Sequence, residues 1–215
     1  MSKVLVRNFS LSLDGFGAGI AQDLDNPLGV GGGSLHEWIF ATRSGREMIG
    51  AQGGDEGLDD RFFSNRATDV GATIMGRNMF GPVRGPWGEN EWTGWWGDDP
   101  PFHHPVFVLT HHPRPPLEMN GGTTFHFITN GIESAREAAL HAAGELDVLI
   151  GGGAATIRQY LATGVIDEMQ LAIVPVLLGQ GERLFDNVGS VSANYKCVEH
   201  LCSPAVTHVR VVRSR

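Results

Sequence analysis

The sequence predicts an α/β domain with a mostly parallel central sheet and an antiparallel C-terminal edge. Three observations carry this. Short apolar runs, Ala72–Met75, Val106–Leu109 and Val148–Ile150, read as strands buried on both faces. Each ends in glycine or a polar turn, and helical periodicity follows two of them. The last part changes to extended, alternating segments around Ser203-Pro204, which reads as a terminal hairpin. With 215 residues and no composition break, the chain is expected to form one domain, 1–215.

The elements follow in order. Val4–Leu13 starts apolar and then alternates Phe9, Leu11 and Leu13 with Asn8, Ser10 and Ser12, as a strand with one buried face does. It runs into Asp14-Gly15-Phe16-Gly17-Ala18-Gly19, a glycine-rich loop able to approach a ligand. One helix is expected over Leu35–Ile49, broken at Gly53-Gly54, and another over Asp59–Thr68. The buried run 72–75 turns at Gly76-Arg77-Asn78 into a helix. Residues 81–105 read as a loop insertion rich in proline and glycine. Trp87, Trp92, Trp95 and Trp96 within it argue for order, either as a lid over a site or as packing. Strands at 106–109 and 124–128, a helix over Glu133–Ala143, a strand at 148–150 and a helix after Gly153 complete the alternating part. Ile166–Leu178 is extended, with Pro175 marking a bulge or edge.

Composition excludes several roles. The net charge is −8, and the only local basic excess is Arg210, Arg213 and Arg215, so no nucleic-acid partner is expected. No stretch reaches the ~18 apolar residues of a membrane span, and the N-terminus lacks a signal-peptide core. The expectation is a soluble, cytoplasmic protein, with Cys197 and Cys202 as reduced thiols. Adjacent histidines at 103-104 and 111-112 point to opposite faces of an extended chain, so no metal site is expected.

Chemistry concentrates at strand ends. Ile150-Gly151-Gly152-Gly153-Ala154-Ala155-Thr156 ends a buried strand and opens a helix, where free N–H groups and the helix's positive end suit a phosphate or diphosphate. A plain tight turn is the other reading. Gly76-Arg77-Asn78-Met79 repeats the arrangement with a cation, and Thr110-His111 follows a third strand. Together these could complete an anion pocket, although Arg77 could equally be a solvated surface residue. Asp14, at the sheet's C-terminal edge, is the candidate catalytic carboxylate, against a simple Asp-Gly turn. Glu182-Arg183 forms a second polar cluster, for which a surface ion pair is the simpler reading.

Five segments occur together and in order: Ser12–Gly15, Met75–Arg77, Ile150–Ala154, Leu161–Glu168 and Pro175–Phe185. In these the chain, from about residue 3 to 213, resembles the dihydrofolate reductase-like family that includes the reductase domain of the bacterial riboflavin-biosynthesis deaminase–reductase. The resemblance implies a three-layer dihydrofolate reductase-like fold, NADPH as hydride donor, a small heterocyclic substrate and a homodimer. It places the adenosine phosphate at Gly76–Met79 and Thr110-His111, and the diphosphate at Ile150–Thr156. Asp14, Gly15, Phe16, Gly19, Ile20, Trp38 and Glu182 would border the substrate. Glu37-Trp38 is a loose match to the acidic, Trp-containing helix of true dihydrofolate reductases, so folate is disfavoured. The family's deaminase motifs are absent. Two rival readings stay open, a nucleotide-binding module without catalysis and a reductase using a flavin-type cofactor.

Overall fold

The computed structural model describes residues 2–82, 84–88, 92–189 and 194–214. Its centre is a nine-stranded sheet in the order β4-β5-β3-β2-β6-β1-β7-β9-β8. The strands are β1 (Val4–Ser12), β2 (Val70–Gly76), β3 (Pro105–Leu109), β4 (Leu117–Glu118), β5 (Thr124–Ile128), β6 (Asp147–Gly152), β7 (Glu168–Val174), β8 (Tyr195–Cys202) and β9 (Thr207–Arg213). From β5 across to β7 all pairings are parallel, and β9 and β8 add antiparallel at the C-terminal edge. The two-residue β4, antiparallel to β5 at the opposite edge, has no periodicity long enough to be read from sequence.

Helices cover both faces in three layers. On one face lie α5 (Gly131–Ala143) and α6 (Ala154–Ala162). Ala135, Ala139 and Ala143, four apart, let α5 approach the sheet, and Ile157, Tyr160 and Leu161 of α6 complete the same core. The approach is close at β2, where a Cβ on Gly71 would lie 2.9 Å from the Ala143 backbone. The other face divides. Over β7, α1 (Glu37–Ala41) and α3 (Leu58–Ser64) bring Trp38, Ile39 and Phe63 against Ala172 and Val174. Over β2, β3 and β5, the one-turn α4 (Arg77–Phe80) and the tryptophan segment take the place of a helix. Trp96 stacks on Phe125, and the Trp92 Nε1–H donates to the Phe80 carbonyl at 2.9 Å. Residues 83 and 89–91 of that insertion lie outside the described residues.

The single helix expected over 35–49 is three pieces: a 3₁₀ turn at Gly32–His36, α1, and α2 (Arg43–Met48). Thr42 breaks it. Its backbone is extended, its Oγ1 accepts from Gly45 N at 3.0 Å, and residues around it pair with Asp55. The expected helix at 59–68 ends at Ser64 and tightens into a 3₁₀ turn, and β7 stops at Val174, just before Pro175. Among the described residues no helix is long and apolar enough to cross a membrane.

Candidate functional site

A cavity of about 740 Å³ lies across the C-terminal ends of the parallel strands. Its lining runs from Ile128 of β5 through Leu109 of β3, Gly76 of β2 and Gly152 of β6 to Asn8 and Ser10 of β1. Four strand spacings of ~4.8 Å make this ~19 Å. An extended, multi-part ligand fits that length.

The centre is built from glycine. Met75 of β2 pairs with Gly152 of β6, so the chains leaving those strands, at Arg77 and at Gly153–Ala154, emerge side by side. A Cβ on Gly76 would stand 2.4 Å from Thr156 Oγ1, which is why the first turn of α6 can pack on the β2–α4 turn. Gly152 holds φ 144°, which side chains rarely adopt. Gly153 caps α6 without any side-chain hydrogen bond, and no acidic residue occupies the first turn. A Cβ there would meet nothing within 4 Å. The first N–H groups of a nine-residue helix therefore face open space under a partial positive charge.

Arg77 supplies the cation. Its Nη1 donates to Thr110 Oγ1 at 2.9 Å and its Nη2 to the Gly85 carbonyl at 3.1 Å. The guanidinium lies 3.2 Å over the Trp87 ring. Nε is buried and has no partner. Burial first, then the like charges of Arg84 and Arg114, pushes the Arg77 guanidinium below its ordinary range. An anion here would relieve both. Arg84, His111 and His112 line the same end.

Of the expected site residues, the cavity brings together Gly76, Arg77, Asn78, Met79, Thr110, His111, Gly151, Gly152, Gly153, Ala154, Ala155, Thr156 and Glu182. Ile150 points into the α5–α6 core instead. Of the first loop, expected over Asp14 to Ile20, the lining takes Gly17 and Ala18 and not Gly15, Phe16, Gly19 or Ile20. Asp14, the expected catalytic carboxylate, does not line this cavity. It accepts from the Ser12 hydroxyl at 2.6 Å, from Gly179 N at 2.7 Å and from Leu178 N at 3.1 Å. The Ser12 hydrogen bond foremost lowers its pKa to about 2, as suits a fixed structural acceptor. Gly15 turns the chain beside it, and Phe16 is buried under Arg183 at 4.5 Å. Gly19 pairs with Leu28, and Ile20 is exposed and does not line the cavity. Trp38 is a core residue. Its ring meets Phe63 and His208 edge-on, and only its Nε1–H reaches toward the cavity, donating to Ser10 Oγ at 3.0 Å. Glu182 keeps an ion pair with Arg158 at 3.7 Å.

Sequence reasoning missed Asn8, Ser10, His36, Phe40 and Arg84 as cavity residues. A signal existed for the first two. Polar side chains alternating along a strand that belongs in the middle of a parallel sheet need a polar neighbour, because both sheet faces are covered there. Among the described residues no three His, Cys, Asp or Glu side chains gather as a metal-ligand set.

Comparison with known proteins agrees with this architecture. A solved structure from Shewanella sp. PV-4, named as a riboflavin biosynthesis protein, matches with TM-score 0.60 and 23% identity, each chain covered completely. RibD of Acinetobacter baumannii matches with TM-score 0.57 and 17% identity, and this chain spans 59% of its length. Dihydrofolate reductase from Enterococcus faecalis, complexed with NADP(H) and RAB-propyl, matches with TM-score 0.52 and 14% identity over 99% of this chain and 97% of that one. No curated protein sequence matches. The fold is thus dihydrofolate reductase-like, and the family model for the RibD C-terminal domain matches residues 3–209. The chain belongs to that family.

Proposed function

We propose that this protein is a reductase that binds NADPH along the cavity and directs hydride to a C=N or C=O bond of a small pyrimidine- or pterin-like ring. The observation that carries the reading is the spacing of the parts. A cation cluster at Arg77 beside Thr110, a glycine-led helix start at Gly153 and a separate polar end at β1 follow one another across the ends of β3, β2, β6 and β1, three strand spacings or ~14 Å. The residues fit the group. Arg77 offers an unpartnered Nε, its Thr110 neighbour a hydroxyl, and Gly153 an open position where a Cβ would stand. When bound, NADPH supplies the hydride. The chain's own residues fix its phosphates, orient the reacting ring and exclude water. The family membership and the fold shared with an NADP(H)-complexed dihydrofolate reductase support this reading.

The test is a titration of NADPH, NADH and FMN followed by tryptophan fluorescence and calorimetry. Saturable NADPH binding, tighter than NADH, is the expected result; saturation by FMN alone would replace the reading with the flavin alternative. Gly153→Val sharpens it. A side chain there meets no protein atom, and NADPH affinity should fall ~100-fold because the diphosphate's place is filled. Asp14→Ala should do the reverse. Three donors lose their acceptor, so thermal stability drops and NADPH affinity stays. Lost binding with an unchanged melting temperature would return Asp14 to the site. A homodimer through the terminal strands is part of the proposal, since β8 is the last strand of the sheet, and sedimentation velocity tests it.

A further inference from the structure

His208 of β9 is 1% exposed and does not line the cavity, yet two polar residues of the cavity wall are held by its neighbours. Phe62 of α3 stacks on the imidazole, with centroids 4.1 Å apart and planes 7° from parallel. The Phe62 carbonyl in turn accepts from Asn8 Nδ2 at 3.1 Å. Trp38 of α1 meets the imidazole at a steep angle, 5.2 Å between centroids, and its Nε1–H donates to Ser10 Oγ at 3.0 Å. Asn8 and Ser10 both line the cavity from β1. One buried ring thus stands behind two wall residues, each held through an aromatic neighbour.

The ring is fixed at one nitrogen only. Nε2 lies 2.8 Å from Asp59 Oδ1, and the other oxygen of that carboxylate accepts from the Ser203 hydroxyl at 2.8 Å. An ionised carboxylate only accepts, so Nε2 carries the proton and Nδ1 is a bare lone pair. That Nδ1 is buried and, among the described residues, has no partner. The charged groups acting on the ring are Asp59 and Arg61 of α3 and Glu199 of β8. α1 sets Trp38 against it, β7 pairs Ala172 with it and β8 pairs Leu201, none of which titrates. Burial holds its proton affinity below the ordinary histidine range, against the pull of Asp59. A second proton, on Nδ1, would make a buried charged donor with no acceptor to receive it, so the ring cannot take it and keep its present packing. Protonation also strengthens the bond to Asp59, one turn from Phe62 on α3. α3 therefore stays with the ring, and the neighbour that yields is Trp38.

We infer that His208 is a positioning residue for the cavity wall and an acid-operated release of it: neutral, it packs Phe62 and Trp38 so that Asn8 and Ser10 are held, and on gaining a proton at Nδ1 it displaces Trp38 and frees Ser10. The inference concerns the wall alone and stands whatever cofactor or substrate the cavity takes.

Nuclear magnetic resonance of the full chain, with isotope-labelled tryptophan and histidine, tests it as pH is lowered through and below the ordinary histidine value of about 6.5. The Trp38 indole N–H resonance should move upfield as its bond to Ser10 is given up, with the same midpoint as the His208 ring. The Trp92 indole, bonded to the Phe80 carbonyl, should not follow. His208→Gln keeps a donor for Asp59 and cannot titrate, so the Trp38 resonance should stay level over the same range. Asp59→Asn keeps an acceptor for Nε2 but removes the charge that favours the imidazolium, and should move both midpoints roughly one unit lower. It decides the matter if His208→Gln does not fold. His36→Gln should leave the Trp38 transition in place, since His36 is not the ring that drives it. A Trp38 resonance that stays level, or that moves only with global unfolding by circular dichroism, overturns the inference. So does a transition that survives His208→Gln, vanishes with His36→Gln, or keeps its midpoint in Asp59→Asn.

Discussion

Arg77→Ala is expected to weaken NADPH binding roughly 10- to 100-fold while leaving NADH within about threefold, because only NADPH carries the additional phosphate that a charge-assisted pair would hold. The guanidinium is already immobilised by Thr110, the Gly85 carbonyl and the face of Trp87, so little side-chain entropy is lost when the anion arrives. Nearby Arg84 and Arg114 make the pocket electropositive but disfavour the empty state, and that repulsion is released on binding. Trp87 contributes through Arg77. Trp87→Leu removes the aromatic face and should cost about three- to tenfold in NADPH affinity, with Trp87→Phe restoring part of it. Because Trp87 also packs on Phe80 and Phe127, the leucine variant will melt earlier, and the ratio of NADPH to NADH affinity is the readout that separates positioning from general loosening. Equal losses for both cofactors in Arg77→Ala would show that Arg77 does not read the phosphate. The loss should shrink as salt is raised, since the site is open to solvent on one side.

How far the sequence went depended on whether a feature was local. The buried strands at 72–75, 106–109 and 148–150 were legible because a continuous apolar run bounded by turns has few other uses. The strand end and helix start at Gly151–Gly153 were legible for the same reason: they are made by adjacent residues. The surroundings of Asp14 were not legible because its partners are distant in sequence. Nothing near position 14 says that the N–H groups of Leu178 and Gly179 will meet its carboxylate 164 and 165 residues later. The packing of Trp38 was hidden similarly, since an indole at a helix start looks alike whether it faces a cavity or the core, and its contacts with Phe63 and His208 are made by distant residues. His36 was overlooked because the helix expected over 35–49 puts it within one continuous turn. The break at Thr42 and the short α1 set its actual direction. The tryptophan segment left two readings open, a lid or packing. Trp96 packs on the sheet while it and Trp95 line the cavity.

A second large effect is expected with acid. Burial depresses three histidines, His36 and His104 to about 4 and His208 in the same direction. In the unfolded chain each would take up a proton near 6.5. Below that pH the unfolded state binds protons that the folded state refuses, so stability is fully present above about 6.5 and declines as pH falls toward 4. Each histidine contributes a slope of up to ~1.4 kcal/mol per pH unit. His104 contributes less, being partly solvated beside its hydrogen bond to Thr73 at 2.8 Å. His208 is the instructive case. Asp59 lies 2.8 Å from its Nε2 and favours the imidazolium, yet the ring is sandwiched by Phe62 at 4.1 Å and the Trp38 edge, and desolvation prevails. It therefore serves as a neutral donor to a carboxylate that also holds Ser203, joining α3 to the terminal hairpin. Asp14 acts in a lower window. Its depressed carboxylate loses its contribution only as pH falls from about 3.8 toward 2. Urea midpoints measured stepwise between pH 7 and 4 should fall throughout, and His36→Phe should flatten the curve by about one proton's worth. A flat wild-type profile would mean that these rings are protonated in the fold.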